Sequence, residues 1–185
     1  MIIEEKTSRR EFVLSVARSM MGAARTAPKG KGFDHLEIKT ITGDEVAALA
    51  KNMHVYAEEL NRMFFHRDAE NIAVSDAVVL IGTRIASIGL DCGWCGFATC
   101  AKKNEQPTVP CAFNTNDLGI AVGSACSVAA DHRVDSRVMY SAGLSAMKMG
   151  LIKESGFTLA IPISCTSKSP FFDRVSTRPP VEPKK

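Results

Sequence analysis

The densest chemical feature of the sequence is a group of four cysteines between positions 92 and 111. Their spacing is C-x2-C-x4-C followed by C-x10-C, and the residues are Cys92, Cys95, Cys100 and Cys111. Thiolates this close in sequence can converge on one soft metal centre. Such a centre requires tight turns between its ligands, and Gly93 and Gly96 permit them because glycine readily adopts left-handed backbone conformations. The sequence therefore predicts a metal-binding loop around which the rest of the chain is arranged.

Four clustered thiolates favour an iron–sulfur cluster, [4Fe–4S], as the metal centre. The glycines leave backbone N–H groups free to point at sulfur, and such hydrogen bonds help to set the potential of a cluster. Trp94 and Phe97 are predicted to shield the centre from water. Zinc is the main alternative, because four thiolates also suit a tetrahedral structural site. Zinc ribbons usually carry two separated CxxC pairs, whereas this chain has one. Unligated cysteines are a third interpretation, which the clustering disfavours.

The string from Cys92 to Cys100, C-G-W-C-G-F-A-T-C, resembles the small four-iron domain of corrinoid iron–sulfur proteins and of some electron-transport subunits. The resemblance implies that Cys92, Cys95 and Cys100 are cluster ligands. That family usually places its fourth ligand further downstream than Cys111. Cys126 therefore competes with Cys111 for the fourth position, for which Cys111 is our prediction.

Composition limits the classes of function. A chain of 185 residues that is 45% hydrophobic and 23% charged can bury a sizeable core, and its net charge of +3 gives no argument for a nucleic-acid partner. The N-terminal sequence lacks the apolar segment of a secretory signal, and the longest apolar runs are too short to span a bilayer. We expect a cytoplasmic protein with no membrane partner. In that compartment clustered cysteines bind metal more often than they form disulfides.

Hydrophobic spacing predicts a series of helices and strands. Helices are expected after the capping-box signals Ser8–Glu11 and Thr42–Glu45, from about Asp117, and after the capping pair Asp135-Ser136. The first of these helices should end near Thr26. Strands are expected at positions 36–41, 76–82 and 157–163, with Pro162 near an edge or a strand end. The continuous apolar run at 76–82 is typical of a buried central strand, and the cysteine loop follows it.

Over nearly its full length the chain resembles a family of uncharacterised prokaryotic proteins with a ferredoxin domain. The segments that carry the resemblance are AARTAPKGKG at 23–32, RD at 67–68, the cysteine motif at 92–100, DLGIA at 117–121, RVDSR at 133–137 and KSPFFDR at 168–174. This resemblance implies an iron–sulfur protein and brings no assigned reaction.

Outside the cysteine loop the chain also resembles, more distantly, the FMN-dependent nitroreductases. Those proteins begin with a helix that ends in an Ala-Ala-x-x-Ala-Pro segment, as residues 23–28 do here. They end with a strand that runs into a proline and then a basic residue, as Pro162 and Arg174 do. The resemblance implies a nitroreductase-like α/β/α sandwich of the α+β class, a homodimer, and FMN. It would place Lys29, Lys31 and Arg174 near the flavin phosphate.

These observations predict one nitroreductase-like domain at 1–177 with a cluster-binding loop at 89–112, and an extended proline-rich tail at 178–185. The first functional hypothesis is a redox protein that passes electrons to a partner protein or small-molecule acceptor, or reduces a small molecule with the help of flavin. The alternative is a sensor or interaction module that is stabilised by zinc or by a cluster and has no enzymatic activity. The sequence leaves open whether the protein is an enzyme, which would be an oxidoreductase, and it identifies no catalytic residue.

Overall fold

The computed structural model describes residues 1–172, which form an antiparallel sheet between two layers of helices. The strands are β1 (Leu36–Thr42), β2 (Ala77–Thr83), β3 (Asp135–Ser136) and β4 (Phe157–Ser164), in the order β1-β2-β4-β3. The helices are α1 (Glu5–Thr26), α2 (Asp44–Glu59), α3 (Phe64–Ala73), α4 (Cys100–Asn104), α5 (Ala112–Asp131) and α6 (Tyr140–Lys148). The predicted α/β/α sandwich is confirmed. Arg174 and the predicted tail at 178–185 lie outside the described residues.

Strand β2 is the centre of the sheet. It pairs with β1 on one side and with β4 on the other, and all its residues are buried. Val79 and Ile81 face the layer of α1 and α5, whereas Val78 and Leu80 face the layer of α2, α3 and α6. Because helices cover both faces, the strand carries apolar side chains from Ala77 to Ile81. The predicted buried central strand is therefore confirmed.

The region around β3 differs from the prediction. Asp135 and Ser136 do not cap a helix; they pair with Ser164 and Ile163 of β4, and α6 begins only at Tyr140. Pro162 is two residues before the end of β4, near the strand end as predicted. Its carbonyl accepts a hydrogen bond from the backbone N–H of Arg137 at 3.4 Å, so its backbone faces the short β3 side. The missing N–H of this proline therefore removes no bond to β2.

The helix starts also differ from the predicted capping boxes. The predicted capping box would start α1 just after Ser8. The helix instead begins about one turn earlier, at Glu5, and Glu4 precedes it without a side-chain cap. Gly43 precedes α2, again without a side-chain cap. The predicted end of α1 at Thr26 is confirmed. Within residues 1–172 no helix has the length and apolarity that a membrane crossing requires.

The cysteine loop leaves the end of β2 and is fastened to the first turns of α5. The buried Asn114 side chain accepts hydrogen bonds from the backbone N–H groups of Ala86 and Cys111, each at 3.1 Å. Its amide nitrogen donates to the carbonyl of Ala86 at 2.9 Å. One turn later, the Asp117 carboxylate accepts the N–H of Gly30 at 3.0 Å. The start of α5 thus holds both the cysteine loop and the loop that follows α1.

Helix α6 packs directly on β4 through Gly143, where an added Cβ would overlap the carbonyl group of Thr158. We expect Gly143→Ala to lower the free energy of unfolding by about 1–3 kcal/mol, because the helix must move away from the strand. Gly22 of α1 is the matched control, since a Cβ there meets open space. Gly22→Ala should raise stability by up to about 1 kcal/mol, because alanine favours helix. Urea denaturation checks both, and equal stability of the two variants would contradict the packing described.

Asn114→Ala should lower the free energy of unfolding by about 2–4 kcal/mol, because it leaves one buried and two partly buried backbone groups without partners. Asn116→Ala, on the exposed side of the same helix, should change stability by less than about 0.5 kcal/mol. Urea denaturation of the metal-free protein compares the two variants. A similar small change in both would mean that Asn114 does not fasten the loop.

Candidate metal centre

Cys92, Cys95, Cys100 and Cys111 all line one cavity. Cys92 and Cys95 come from the loop after β2, Cys100 is the first residue of α4, and Cys111 is the residue that caps α5. None of the four forms a disulfide. Cys92 is exposed and Cys111 is buried. The four cysteines therefore extend from the protein surface, at Cys92, to the buried N-terminal end of α5, at Cys111.

Two glycines shape the loop between the first cysteines. Gly93 and Gly96 have φ angles of 73° and 86°, and the N–H of Gly96 donates to the carbonyl of Gly93 at 2.9 Å. These are the left-handed turns that the sequence predicts. Further along, the Asp91 carboxylate accepts the backbone N–H of Cys100 at 2.6 Å. This bond closes the loop by joining the residue before Cys92 to the start of α4.

Two of the four sulfur atoms accept backbone hydrogen bonds. The N–H of Asp91 donates to Cys100 Sγ at 3.4 Å, and the N–H of Asn114 donates to the side chain of Cys111. Bonds of this kind are predicted from the loop glycines, but the donors are Asp91 and Asn114. A thiolate accepts hydrogen bonds more strongly than a thiol because it is charged. The surroundings of these two sulfurs therefore suit metal-bound thiolates.

Apolar side chains form much of the remaining cavity wall, and they are Ile88, Leu90, Phe97 and Phe113. Phe97 therefore lies where the sequence predicts. Trp94 does not line the cavity, and 73% of its surface is exposed. Its ring stacks on Phe113, with centroids 5.3 Å apart and planes 6° from parallel. The predicted shielding by Trp94 is thus indirect, through the ring on which it stacks.

Lys103 also lines the cavity and is only 2% exposed. It lies on α4, three residues after Cys100, so both residues occupy the same side of that helical turn. The adjacent Lys102 is exposed and pairs with Glu105 at 3.0 Å. The sequence analysis does not single out Lys103. Its three-residue spacing from Cys100 is the signal that could have identified it.

The structure separates Cys126 from the other candidate ligands. Cys126 lies on α5, and fifteen residues of helix at 1.5 Å per residue put it roughly 22 Å from Cys111. It packs against the core formed by α1, α5 and the sheet. Burial raises the pKa of its thiol, although a hydrogen bond with Ser136 acts in the opposite direction. Cys111, and not Cys126, shares the cavity with the first three cysteines.

The two predicted flavin-phosphate lysines in the described part of the chain both contact backbone carbonyls. The ammonium group of Lys29 donates to three carbonyls around the end of α1, those of Ala24, Arg25 and Ala27, at 2.5–3.3 Å. The ammonium group of Lys31 donates to the carbonyl of Ile88 at 3.3 Å, in the cysteine loop. Arg174, the third predicted residue, lies outside the described residues. In this structure the ammonium groups of Lys29 and Lys31 therefore bind backbone carbonyls of the protein.

The four cysteines share a cavity without forming a compact cage. Within residues 1–172, no three His, Cys, Asp or Glu side chains are arranged so that they could hold a metal ion. Four thiolates on one zinc ion at about 2.3 Å would lie roughly 3.8 Å from each other, from tetrahedral geometry.

Solved structures with a similar fold are flavoproteins and nitroreductases. A nitroreductase with bound FMN from Desulfitobacterium hafniense superimposes with a TM-score of 0.56 at 12% identity, over 92% of this chain and 82% of that one. The FMN-dependent nitroreductase NfnB from Mycobacterium smegmatis has a TM-score of 0.57 at 11% identity, with coverages of 83% and 78%. A BluB-like flavoprotein from Clostridium difficile has a TM-score of 0.55 at 14% identity, with coverages of 89% and 85%. At such low identity these similarities establish the nitroreductase fold alone.

Sequence comparison gives a closer relation. An uncharacterized protein of Archaeoglobus fulgidus is 40% identical over 182 residues, which covers 94% of this chain and 98% of that protein. Residues 108–174, which include Cys111 and all of α5, match a family described as an uncharacterized protein containing a ferredoxin domain, DUF2148. The chain therefore belongs to this family of ferredoxin-domain proteins, and it carries the family's sequence on a nitroreductase fold.

Proposed function

We propose that this protein is an iron–sulfur redox protein in which Cys92, Cys95, Cys100 and Cys111 hold a [4Fe–4S] cluster. The observation that carries the proposal is the common cavity of these four cysteines, which come from a loop, a short helix and a helix cap. The ferredoxin domain of the family supports a redox role. So does the fold, which is shared with proteins described as nitroreductases and flavoproteins.

The donor set fits a cluster better than it fits zinc. Four thiolates are the usual ligands of four-iron clusters. The ferredoxin domain of the family also favours a cluster over zinc. Backbone N–H groups already bonded to Cys100 and Cys111 are the hydrogen bonds that such a centre uses.

When bound, a cluster of this type supplies one-electron transfer. The protein contributes the rest. Phe97 and Phe113 exclude water from part of the cavity wall, and the N–H groups of Asp91 and Asn114 stabilise negative charge on sulfur. The exposed Cys92 brings one side of the site to the surface. That side is where we propose that a redox partner protein or a small acceptor approaches.

FMN remains a second cofactor prediction. Its support is the nitroreductase fold, since two similar proteins are described with FMN. The contacts of Lys29 and Lys31 weigh against these lysines as the phosphate ligands, because a phosphate would have to replace their bonds to backbone carbonyls. We therefore assign the redox role to the cysteine site and treat flavin as an addition to it.

A homodimer is likewise proposed from the fold, and one surface is available for it. Gly119 and Gly123 lie on the exposed side of α5, four residues apart, and a Cβ at either position would meet open space. Small residues at this spacing let a second helix approach closely. A native mass equal to one chain, measured by light scattering, would exclude this arrangement in solution.

Serine substitutions test the ligand assignment. In protein purified without oxygen, Cys92→Ser, Cys95→Ser, Cys100→Ser and Cys111→Ser should each lose most of the bound iron, because a hydroxyl is a much poorer ligand for iron than a thiolate. Iron and sulfide per chain, together with the visible absorbance, measure the loss.

Cys126→Ser is the matched control for these variants, and it should retain the iron of the unmodified protein. Its distance from the cavity is the reason. Normal iron content in Cys92→Ser, Cys95→Ser and Cys100→Ser would overturn the site. Iron loss in Cys126→Ser with retention in Cys111→Ser would overturn the assignment of the fourth ligand.

A further inference from the structure

Lys103 is a lysine with a largely buried side chain that lines the same cavity as four cysteines. It is 2% exposed and lines the same cavity as the candidate ligands. Within residues 1–172 no hydrogen bond or ion pair engages its ammonium group, and the tip of the side chain keeps some contact with solvent. Its backbone is fixed by the turn of α4, where its N–H donates to the carbonyl of Thr99 at 3.1 Å. The structure therefore places a lysine in the wall of this cavity without a negative partner from the described chain.

Burial of an unpaired charge is unfavourable, so a buried lysine requires compensation. Lysine is among the residues that are least often fully buried unless they are paired. Lys102, its neighbour on α4, shows the ordinary arrangement, with 67% of its side chain exposed and an ion pair to Glu105. The contrast between two adjacent lysines indicates that the position of Lys103 is a property of the site. The available negative partner is the set of thiolates that line the same cavity.

We propose that Lys103 is the charge-compensating residue of the metal centre and raises its reduction potential. This inference rests on the proposed function. Four thiolates give a bound four-iron cluster a net negative charge, and net charge is one of the factors that set the potential of such clusters. A fixed cation in the cavity wall reduces the electrostatic penalty of adding further negative charge.

The redox step involves one electron and no bond rearrangement. An external one-electron donor is oxidised, the centre is reduced, and one negative charge is added close to Lys103. The cation stabilises the more negative state more than the less negative one. The effect is large where water is excluded and small at the surface, because solvent and salt screen exposed charges. Lys103 and Lys102 should therefore differ in their effects, although they are neighbours of equal charge.

Redox titration with dithionite, followed by visible and EPR spectroscopy, tests the proposal on the protein purified without oxygen. Lys103→Met removes the charge and keeps the approximate length of the side chain. It should make reduction at least tenfold less favourable, which is a midpoint potential lower by about 59 mV or more for a one-electron couple. Lys103→Arg keeps the charge and should stay near the unmodified protein. Lys102→Met removes an exposed charge and should shift the potential far less.

A measurement on metal-free protein controls for folding. Lys103→Met should be at least as stable to urea as the unmodified chain, because it replaces a largely buried lysine that lacks a described partner with an apolar side chain. A lysine that only supports the fold would give the opposite result. Lower stability of metal-free Lys103→Met, with an unchanged potential in the loaded form, would overturn the proposal.

The remaining outcomes separate this inference from the function on which it rests. If the unmodified protein binds no iron–sulfur cluster, the proposed function is wrong and the role of Lys103 falls with it. If the cluster forms and Lys103→Met has the potential of the unmodified protein, only the role of Lys103 is wrong. Iron loss in Lys103→Met that Lys103→Arg restores would support a charge role. Iron loss in both variants would contradict it.

Discussion

The Asn114 side chain makes the interaction on which the candidate site depends. Its amide joins Ala86, just after the central strand, to Cys111 at the start of α5. This bridge holds the loop that carries the first three cysteines next to Cys111, which lies further along the chain. The bridge is buried, so its hydrogen bonds compete little with water. Asn114 thus connects the end of the central strand to the start of α5, on either side of the cysteine cavity.

The fold and the cysteine site have separate structural roles. The α/β/α sandwich is the scaffold of proteins described as nitroreductases and flavoproteins, and its helices cover both faces of β2. The cysteine site uses none of the sheet's own side chains. It is built at the end of β2 from a loop and two helix starts, where polar and charged groups can reach solvent. In our account the scaffold supplies rigidity and the four cysteines bind the redox centre. Lys103 raises the reduction potential of that centre.

Local features of the sequence predict much of this structure. The apolar run of β2 and the turns at Gly93 and Gly96 follow from short-range rules, and both are confirmed. Long-range packing decides the features that local rules miss. Strand β3 exists because Asp135 and Ser136 meet β4, and no local pattern shows that pairing. Lys102 and Lys103 are adjacent in the sequence, and only the folded chain shows that Lys103 is buried while Lys102 is exposed. Only the folded chain shows that α5 spans the interval between Cys111 and Cys126 and that Cys111 lines the cavity.

The measurement that tests the central claim most directly is the cofactor content of protein purified without oxygen. Iron, acid-labile sulfide, zinc and flavin would be determined per chain, together with the visible spectrum. Our account predicts about four irons and four sulfides per chain, the content of one cluster held by four cysteines. Flavin in the same sample would extend the account toward an enzyme with two redox groups. Zinc without iron or sulfide would contradict it, and the cysteine site would then be structural.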